Sequence, residues 1–400
     1  MRTHPPGADA AGAQRPELAE VVRRHGAELV ATRALSAVQR RALRAIATCR
    51  TQALGGHIDQ CDACGARHYR YHSCRNRHCP KCQTLAKERW LAARRAELLP
   101  VPYFHVVFTL PQGLSPLAQG NPRAIYGLLF AAASQTLLEF GRNPRWLGGE
   151  LAASLLLHTW SQTLTHHPHV HALVAGGALA PEGTWIAPRR GFLFPVQALS
   201  KVFRGKFLDT LARWLEQGRL KLAGSTQGLT QPGAQRQLLA ALRAQPWVVY
   251  AKPTLGGPQH ALDYLARYTY KTAISNERLR ALDAHSVSFS WRDRAHGNRR
   301  RIMQLPALQF LERFALHVLP AGFTRVRHYG LLANRNKAAL LAQAAAALHC
   351  CAPARPQPES ASAFCLRVLH FDPTRCPSCH LGTLHVIAAI APAHPARAPP

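Results

Sequence analysis

Three groups of side chains in this sequence have the types and spacing to do chemistry. The first is His169-Val170-His171, inside the run HHPHVHALV. In an extended strand alternate side chains share a face, so the two imidazoles lie together, about 6.5–7 Å apart along the strand, while Val170 turns into the core. Two imidazoles placed this way can share a divalent cation. The second group is Asp263-Tyr-Leu-Ala-Arg-Tyr-Thr-Tyr-Lys271. On a helix, Tyr264 and Tyr268 stand at i and i+4 and stack on one face, with Tyr270 on roughly the opposite side. Such a pair is often a packing stripe. Here Arg267 and Lys271 flank it, and cations beside a phenol attract phosphate and favour phenolate.

The third group is made of cysteines. Cys61-Asp-Ala-Cys64 and Cys79-Pro-Lys-Cys82 are two C-x2-C knuckles with 14 residues between them. That spacing lets two tight turns present four thiolates to one tetrahedral Zn²⁺, with Zn–S of about 2.3 Å. Buried structural cysteines would have no reason to fall in such pairs. Gly65 follows the first knuckle, where a turn commonly needs positive φ. The insert also carries His68, His72, Cys74 and His78, so a second metal stays open; Cys74 reads as packing or as a substitute ligand. Arg67, Arg70, Arg75, Arg77 and Lys81 give the module a cationic face suited to phosphates, with Arg75, Arg77 and Lys81 the candidate DNA contacts. Cys376-Pro-Ser-Cys379 is a third knuckle, with Cys365, His370, His380 or His385 as candidate partners in a further zinc site; Cys350 and Cys351 stay unassigned.

The composition says what these groups act on. The chain of 400 residues has 50 Lys and Arg against 20 Asp and Glu, a formal net charge of +30. That excess repels itself in a compact fold unless a polyanion shares the surface, so nucleic acid is the leading partner. The N-terminal residues lack the apolar h-region of a secretory signal, and no uninterrupted apolar run reaches the length of a membrane span, about 18 residues. A cytoplasmic, nucleoid-associated bacterial protein with no membrane partner is the expectation. Its 11 cysteines are then thiolate ligands rather than cross-links.

The elements that must position these groups follow from periodicity. Leu18, Val21, Val22, Leu29, Val30, Leu35, Val38, Leu43 and Ile46 recur at helical spacing and predict two helices between residues 16 and 50. A basic helix is predicted over 84–99. The β-branched and aromatic run 103–110, bounded by prolines, predicts a buried strand. Strands are predicted at 154–162 and 169–176, joined by a short His-Pro turn, and at 247–251. A hairpin is predicted from 287–291 and 300–304, its tip dense in arginine. Helices are predicted at 123–140, 196–217, 231–245, 259–270 and 306–317. Mixed strands and helices argue for an α+β core. The resulting division is 1–56, a disordered start and N-terminal helices; 57–99, the zinc module and basic helix; 100–349, a catalytic region; and 350–400, a tail carrying one knuckle.

The sequence resembles the HUH-type (His-hydrophobe-His) rolling-circle transposases of the insertion-sequence-91 family. The resemblance runs from the cysteine module to about Asn336. It is carried in order by CDACG and SCRNRHCPKCQ, HVVFTLP, HTWSQTLTHHPHVHALVAGG, YLARYTYKTAISNERL and LERFALHVLPAGFTRVRHYGLLANRNK. It implies an HUH-endonuclease core, an antiparallel sheet with helices, preceded by a helical and zinc-binding N-terminal domain. It further implies that His169 and His171 hold catalytic Mg²⁺ or Mn²⁺ and that Tyr264 and Tyr268 are the nucleophiles, with Arg267 and Lys271 beside the DNA. The family's sites usually take a third ligand from another element; His158, on the preceding strand, is the favoured candidate, with Gln162 and His167 also near. The partners implied are single-stranded or hairpin element ends and target DNA. A plasmid replication initiator with the same chemistry, or a non-catalytic zinc protein that binds DNA, are the alternatives.

Overall fold

The computed structural model describes residues 15–189, 192–254, 272–293, 296–351 and 359–393. The fold is mixed: helices packed around antiparallel sheets. The central sheet uses β3 (Tyr103–Thr109), β4 (Glu150–Trp160), β5 (His166–Leu179), β6 (Trp185–Ile186), β7 (Val249–Pro253) and β11 (Val326–Gly330). Its order is β11-β4-β5-β3-β7, with β6 on the far end of β5, and every pairing is antiparallel.

Strand alternation divides this sheet into two chemically distinct faces. Phe104, Val106 and Phe108 of β3, Ala153, Leu155 and Leu157 of β4, and Val170, Ala172 and Val174 of β5 point into the main core. There they meet the helices Pro122–Arg142 and Val196–Glu216, whose Phe130, Leu137, Phe203, Phe207 and Leu211 are buried. Helix Pro122–Arg142 has the length and hydropathy to cross a membrane, but two-thirds of its apolar window is buried inside the protein, so it serves as the central packing helix. Along part of the opposite face, Tyr103, Ala152, Leu156, Leu173 and Ala175 pack on Leu91 of the helix Gln83–Arg95 and on Leu341 and Ala344 of the helix Lys337–Ala347. Strands covered on both sides read as nearly continuous apolar runs, which explains ELAASLLL and HALVAGGAL.

The turn between β4 and β5 differs from its sequence expectation. It is built on Ser161–Thr165 rather than on His-Pro, with the Ser161 Oγ accepting from the Thr163 and Thr165 amides and Leu164 at positive φ. Pro168 sits inside β5, where the β4 pairing shifts register; a bulge tolerates the missing N–H.

The N-terminal helices do not form a separate layer. Helix Ala37–Ala47 starts on Ser36, whose side chain accepts from Gln39 N–H while the Gln39 side chain returns to Ser36, a reciprocal cap. Leu18, Val21, Val22 and Leu29 of the helix Leu18–Thr32, with Leu43 and Ile46, share one core with Phe310, Leu311 and Phe314 of the helix Ala307–Ala315. Val287 and Phe289 complete it. They come from a second sheet, order β10-β9-β8, made of β8 (Leu279–Leu282), β9 (Ser286–Asp293) and β10 (Arg299–Pro306).

Within the C-terminal stretch expected as a tail, the described residues 359–390 carry regular elements. The helix Ala361–Leu369 is followed by β12 (Leu384–Ile390), which pairs with β1 (Gly56–Cys61), itself paired with β2 (Arg67–Tyr71). The third sheet, β12-β1-β2, thus joins the two ends of the chain. The helix predicted over 259–270 lies outside the described residues.

Candidate functional site

Antiparallel register assembles the histidines. Leu156 stands opposite His171, and His158 opposite His169, so on the face of the sheet away from the main core β4 contributes one imidazole and β5 two. The ring centroids of His158 lie 4.6 Å from His171 and 5.4 Å from His169, and the two β5 rings are 4.8 Å apart. One ligand nitrogen from each lies within 4.8 Å of the others. The structure therefore brings His158, the sequence's candidate third ligand, to the pair; Gln162 lies in the following turn.

Neighbours fix the rings. His169 Nδ1 lies 2.7 Å from the His167 carbonyl, which can only accept, so Nδ1 carries the proton and Nε2 is the nitrogen left to coordinate. His171 Nδ1 lies 2.8 Å from His105 Nε2. Their rings lie nearly coplanar and edge to edge, with centroids 5.1 Å apart and an interplanar angle of 10°. Burial pushes His105 down to about 4, so it is neutral at physiological pH and can accept the His171 Nδ1 proton, again making Nε2 the candidate ligand atom. His158 stacks on Trp160 at 4.4 Å, and the Arg325 guanidinium covers the other ring of that stack at 5.6 Å from Trp160. Backbone or imidazole acceptors behind ligating histidines set tautomer and ring orientation. Three imidazoles gathered in this way fit a divalent cation, and the donor set favours Mn²⁺ over Mg²⁺.

His105 is a residue that sequence reasoning missed. Its signal was a polar side chain at an alternate position of an otherwise apolar strand, YFHVVFT. Two positions along β7, Tyr250 and Lys252 continue the same rows: Val107 pairs with both His171 and Tyr250, and His105 with both Leu173 and Lys252. Lys252 lies over the Tyr250 ring at 5.5 Å. The chain leaves β7 at Thr254 and enters the segment that carries Tyr264, Arg267, Tyr268 and Lys271; these four residues lie outside the described residues.

The cysteines are grouped differently from the sequence expectation. Cys61, Cys64, Cys79 and Cys82 do not converge on one centre. Cys79 and Cys82 cluster with Cys49 and Cys74, while Cys61 and Cys64 cluster with Cys376 and Cys379. The reason is the path of β1 and β2, which carries the first knuckle to the far end of a hairpin, whereas the chain returns beside Cys49 before the second knuckle. The Arg50 amide donates to the His72 carbonyl, and the Cys74 amide donates to Cys49 Sγ at 3.5 Å. Cys49 was not singled out from sequence. Its signal was arithmetic: with Cys74 and the C-terminal knuckle, it brings the thiols near knuckles to eight, two tetrahedra.

The cationic residues of the module also divide. Arg77 is half-buried and donates to the carbonyls of Phe323 at 2.6 Å and Pro320 at 2.9 Å, so it braces the segment 319–323 from inside. Lys81 is paired with Glu17 at 2.5 Å. Arg75 is exposed and, at φ 51, projects from a turn. Of the three, Arg75 is the one placed to meet a phosphate. The exposed Arg299 and Arg300 of β10 add a second cationic edge.

Two family models match separate stretches of the chain. A family model described as "Transposase zinc-binding domain" matches residues 21–110, and one described as "Putative transposase" matches residues 153–339. Among curated proteins the chain is 45% identical over 377 residues to "Putative transposase y4qJ" of Sinorhizobium fredii, covering 93% of this chain and 95% of that one. It is 29% identical over 352 residues to "Transposase for insertion sequence element IS801" of Pseudomonas savastanoi pv. phaseolicola, covering 83% and 79%. The first model spans Cys49 to Cys82 and His105; the second spans the three clustered histidines and both tyrosines. Cys376 and Cys379 fall beyond both.

Proposed function

The chain belongs to the insertion-sequence-91 family of transposases, DNA-processing enzymes with a zinc-binding domain, and from that premise we propose that it moves DNA by cutting and rejoining one strand through a tyrosine. The observation that carries this reading is the cluster of His158, His169 and His171, with the tautomers of His171 and His169 set by His105 and the His167 carbonyl.

A phenol with an ordinary pKa of about 10 is a poor nucleophile at neutral pH. A divalent cation held by the three histidines would supply Lewis-acid stabilisation of the charge that develops on the scissile phosphate. Tyr264 or Tyr268 supplies the nucleophile: its Oη bonds to phosphorus and gives up its proton, while the bond from phosphorus to O3′ breaks and O3′ takes up a proton. The products are a 5′-phosphotyrosine and a free 3′-OH. Phosphodiester count is conserved, so the reverse attack by a 3′-OH rejoins a strand without an energy source. Arg267 and Lys271, on the same segment, hold the phosphate and favour phenolate. Two tyrosines four residues apart in sequence allow a second cleavage before the first end is released. Element-end DNA, single-stranded or folded as a hairpin, is the substrate, and the chain's net charge of +30 holds its backbone.

The test incubates the full chain with a labelled single-stranded oligonucleotide carrying an element end and Mn²⁺. A covalent protein–DNA adduct is expected, absent with EDTA and absent in Tyr264→Phe/Tyr268→Phe. An adduct that persists in that double variant would overturn the tyrosine assignment.

A further inference from the structure

We propose that this chain binds two zinc ions, and that the second is a clasp between its two ends, held by Cys61 and Cys64 of the N-terminal module and Cys376 and Cys379 of the C-terminal knuckle. The proposal stands on the geometry of thiols, independently of the cleavage chemistry.

A regular tetrahedron with Zn–S of about 2.3 Å has an S···S edge of about 3.8 Å. Across the two ends, Cys61 Sγ lies 3.7 Å from Cys379 Sγ and Cys64 Sγ lies 3.8 Å from Cys376 Sγ. The companion cluster has the same dimension: 3.5 Å for Cys49–Cys82 and 3.7 Å for both Cys74–Cys82 and Cys79–Cys49. A disulfide needs about 2.05 Å, so both sets are spaced for a metal rather than for a cross-link.

The backbone is arranged to receive anionic sulfur. The amides of Cys64, Ser378 and Gly382 donate to Cys61, Cys376 and Cys379 at 3.5, 3.4 and 3.4 Å. His68 Nε2 reaches Cys376 Sγ at 3.7 Å. Four thiols binding one Zn²⁺ release their four protons and leave a net charge of −2, which these donors offset.

The two knuckles are also copies of one turn. In CDACG the Gly65 amide donates to the Cys61 carbonyl at 3.1 Å, and in CPSCH the His380 amide donates to the Cys376 carbonyl at 3.0 Å. The residue after the second cysteine is left-handed in both, Gly65 at φ 74 and His380 at φ 57. Cys82 is instead followed directly by a helix, so the matching half of the Cys61–Cys64 site is the C-terminal one. Strand pairing delivers it: Cys61 stands opposite Leu384, and Asp62 Oδ1 accepts the Thr383 amide at 2.8 Å. At Gly382 a Cβ would lie 2.4 Å from Cys61 Sγ and 2.6 Å from Asp62 Oδ1, so only glycine lets the two turns close on each other.

The experiment is zinc analysis of the purified full chain together with alkylation read by mass spectrometry. Two zinc ions per chain are expected, falling to one in Cys376→Ser/Cys379→Ser and to one in Cys49→Ser/Cys74→Ser. In the wild-type chain Cys61, Cys64, Cys376 and Cys379 should resist alkylation together and become reactive together when a chelator removes one zinc. Exposed Cys351 should react from the start. Undiminished zinc in Cys376→Ser/Cys379→Ser, or alkylation of Cys376 and Cys379 while Cys61 and Cys64 stay protected, would overturn the clasp. Because the alkylation arm uses the unaltered chain, it decides the matter even where a variant fails to fold.

Discussion

Replacing His105 with phenylalanine keeps a planar ring in the slot where His105 meets His171 edge to edge, centroids 5.1 Å apart, but it puts a C–H in place of the nitrogen 2.8 Å from His171 Nδ1. Without that acceptor, His171 loses the partner that fixes its tautomer and ring angle. Its ring can then place the proton on either nitrogen, and one of those forms cannot coordinate. Loss of such an outer partner lowers metal affinity by about 10–100-fold, or roughly 1.4–2.7 kcal/mol. A His105→Gln variant, which can present a side-chain oxygen to the same Nδ1–H, should recover most of the affinity. Mn²⁺ titration followed by electron paramagnetic resonance measures both, with circular dichroism to check folding. Equal Mn²⁺ affinity in wild type and His105→Phe, or equal losses in Phe and Gln variants, would refute the positioning role.

Other consequences follow from single residues. Burial holds His317 at about 3 against an ordinary 6.5, its Nε2 donating to the Leu164 carbonyl at 3.1 Å. The unfolded chain thus takes up a proton between about pH 6.5 and 3 that the folded chain refuses. Stability from the neutral ring is complete above that window and is lost as pH falls, by up to about 1.4 kcal/mol per unit. His317→Gln should flatten the decline in unfolding midpoint between pH 7 and 5, and identical slopes would contradict this. Arg77→Ala removes the donor to the Phe323 and Pro320 carbonyls and should lower stability by about 1–3 kcal/mol while leaving the salt dependence of DNA binding unchanged. Arg75→Ala should do the reverse, reducing the salt slope by about one phosphate contact; a fluorescence-anisotropy salt titration separates the two.

The strands at the centre were legible because alternation and burial agree. HVVF and HVHALV declared both their extended form and their two faces, and the pairing of His158 with His169 follows once β4 and β5 are known to be adjacent. What was not legible depended on long-range return of the chain. Cys61–Cys64 and Cys79–Cys82 look like partners because they are neighbours in sequence, yet the pairing of β1 with β12 brings a knuckle from more than 300 residues away (Cys61 to Cys379, a separation of 318). Arg77 looked like a phosphate ligand for the same reason: its type was visible, but not the three carbonyl-bearing residues 319, 320 and 323 folded over it. His105 shows the converse case, a polar interruption whose meaning appeared only when β3 lay against β5.

The cleavage account rests on a covalent bond between DNA and one of two tyrosines, and that bond can be located directly. The wild-type chain, trapped on a single-stranded element end with Mn²⁺ and digested with protease and nuclease, should yield a peptide bearing a nucleotide on Tyr264 or Tyr268, found by tandem mass spectrometry. A nucleotide on a serine or on a tyrosine elsewhere, or DNA cleaved with no modified peptide at all, would contradict it.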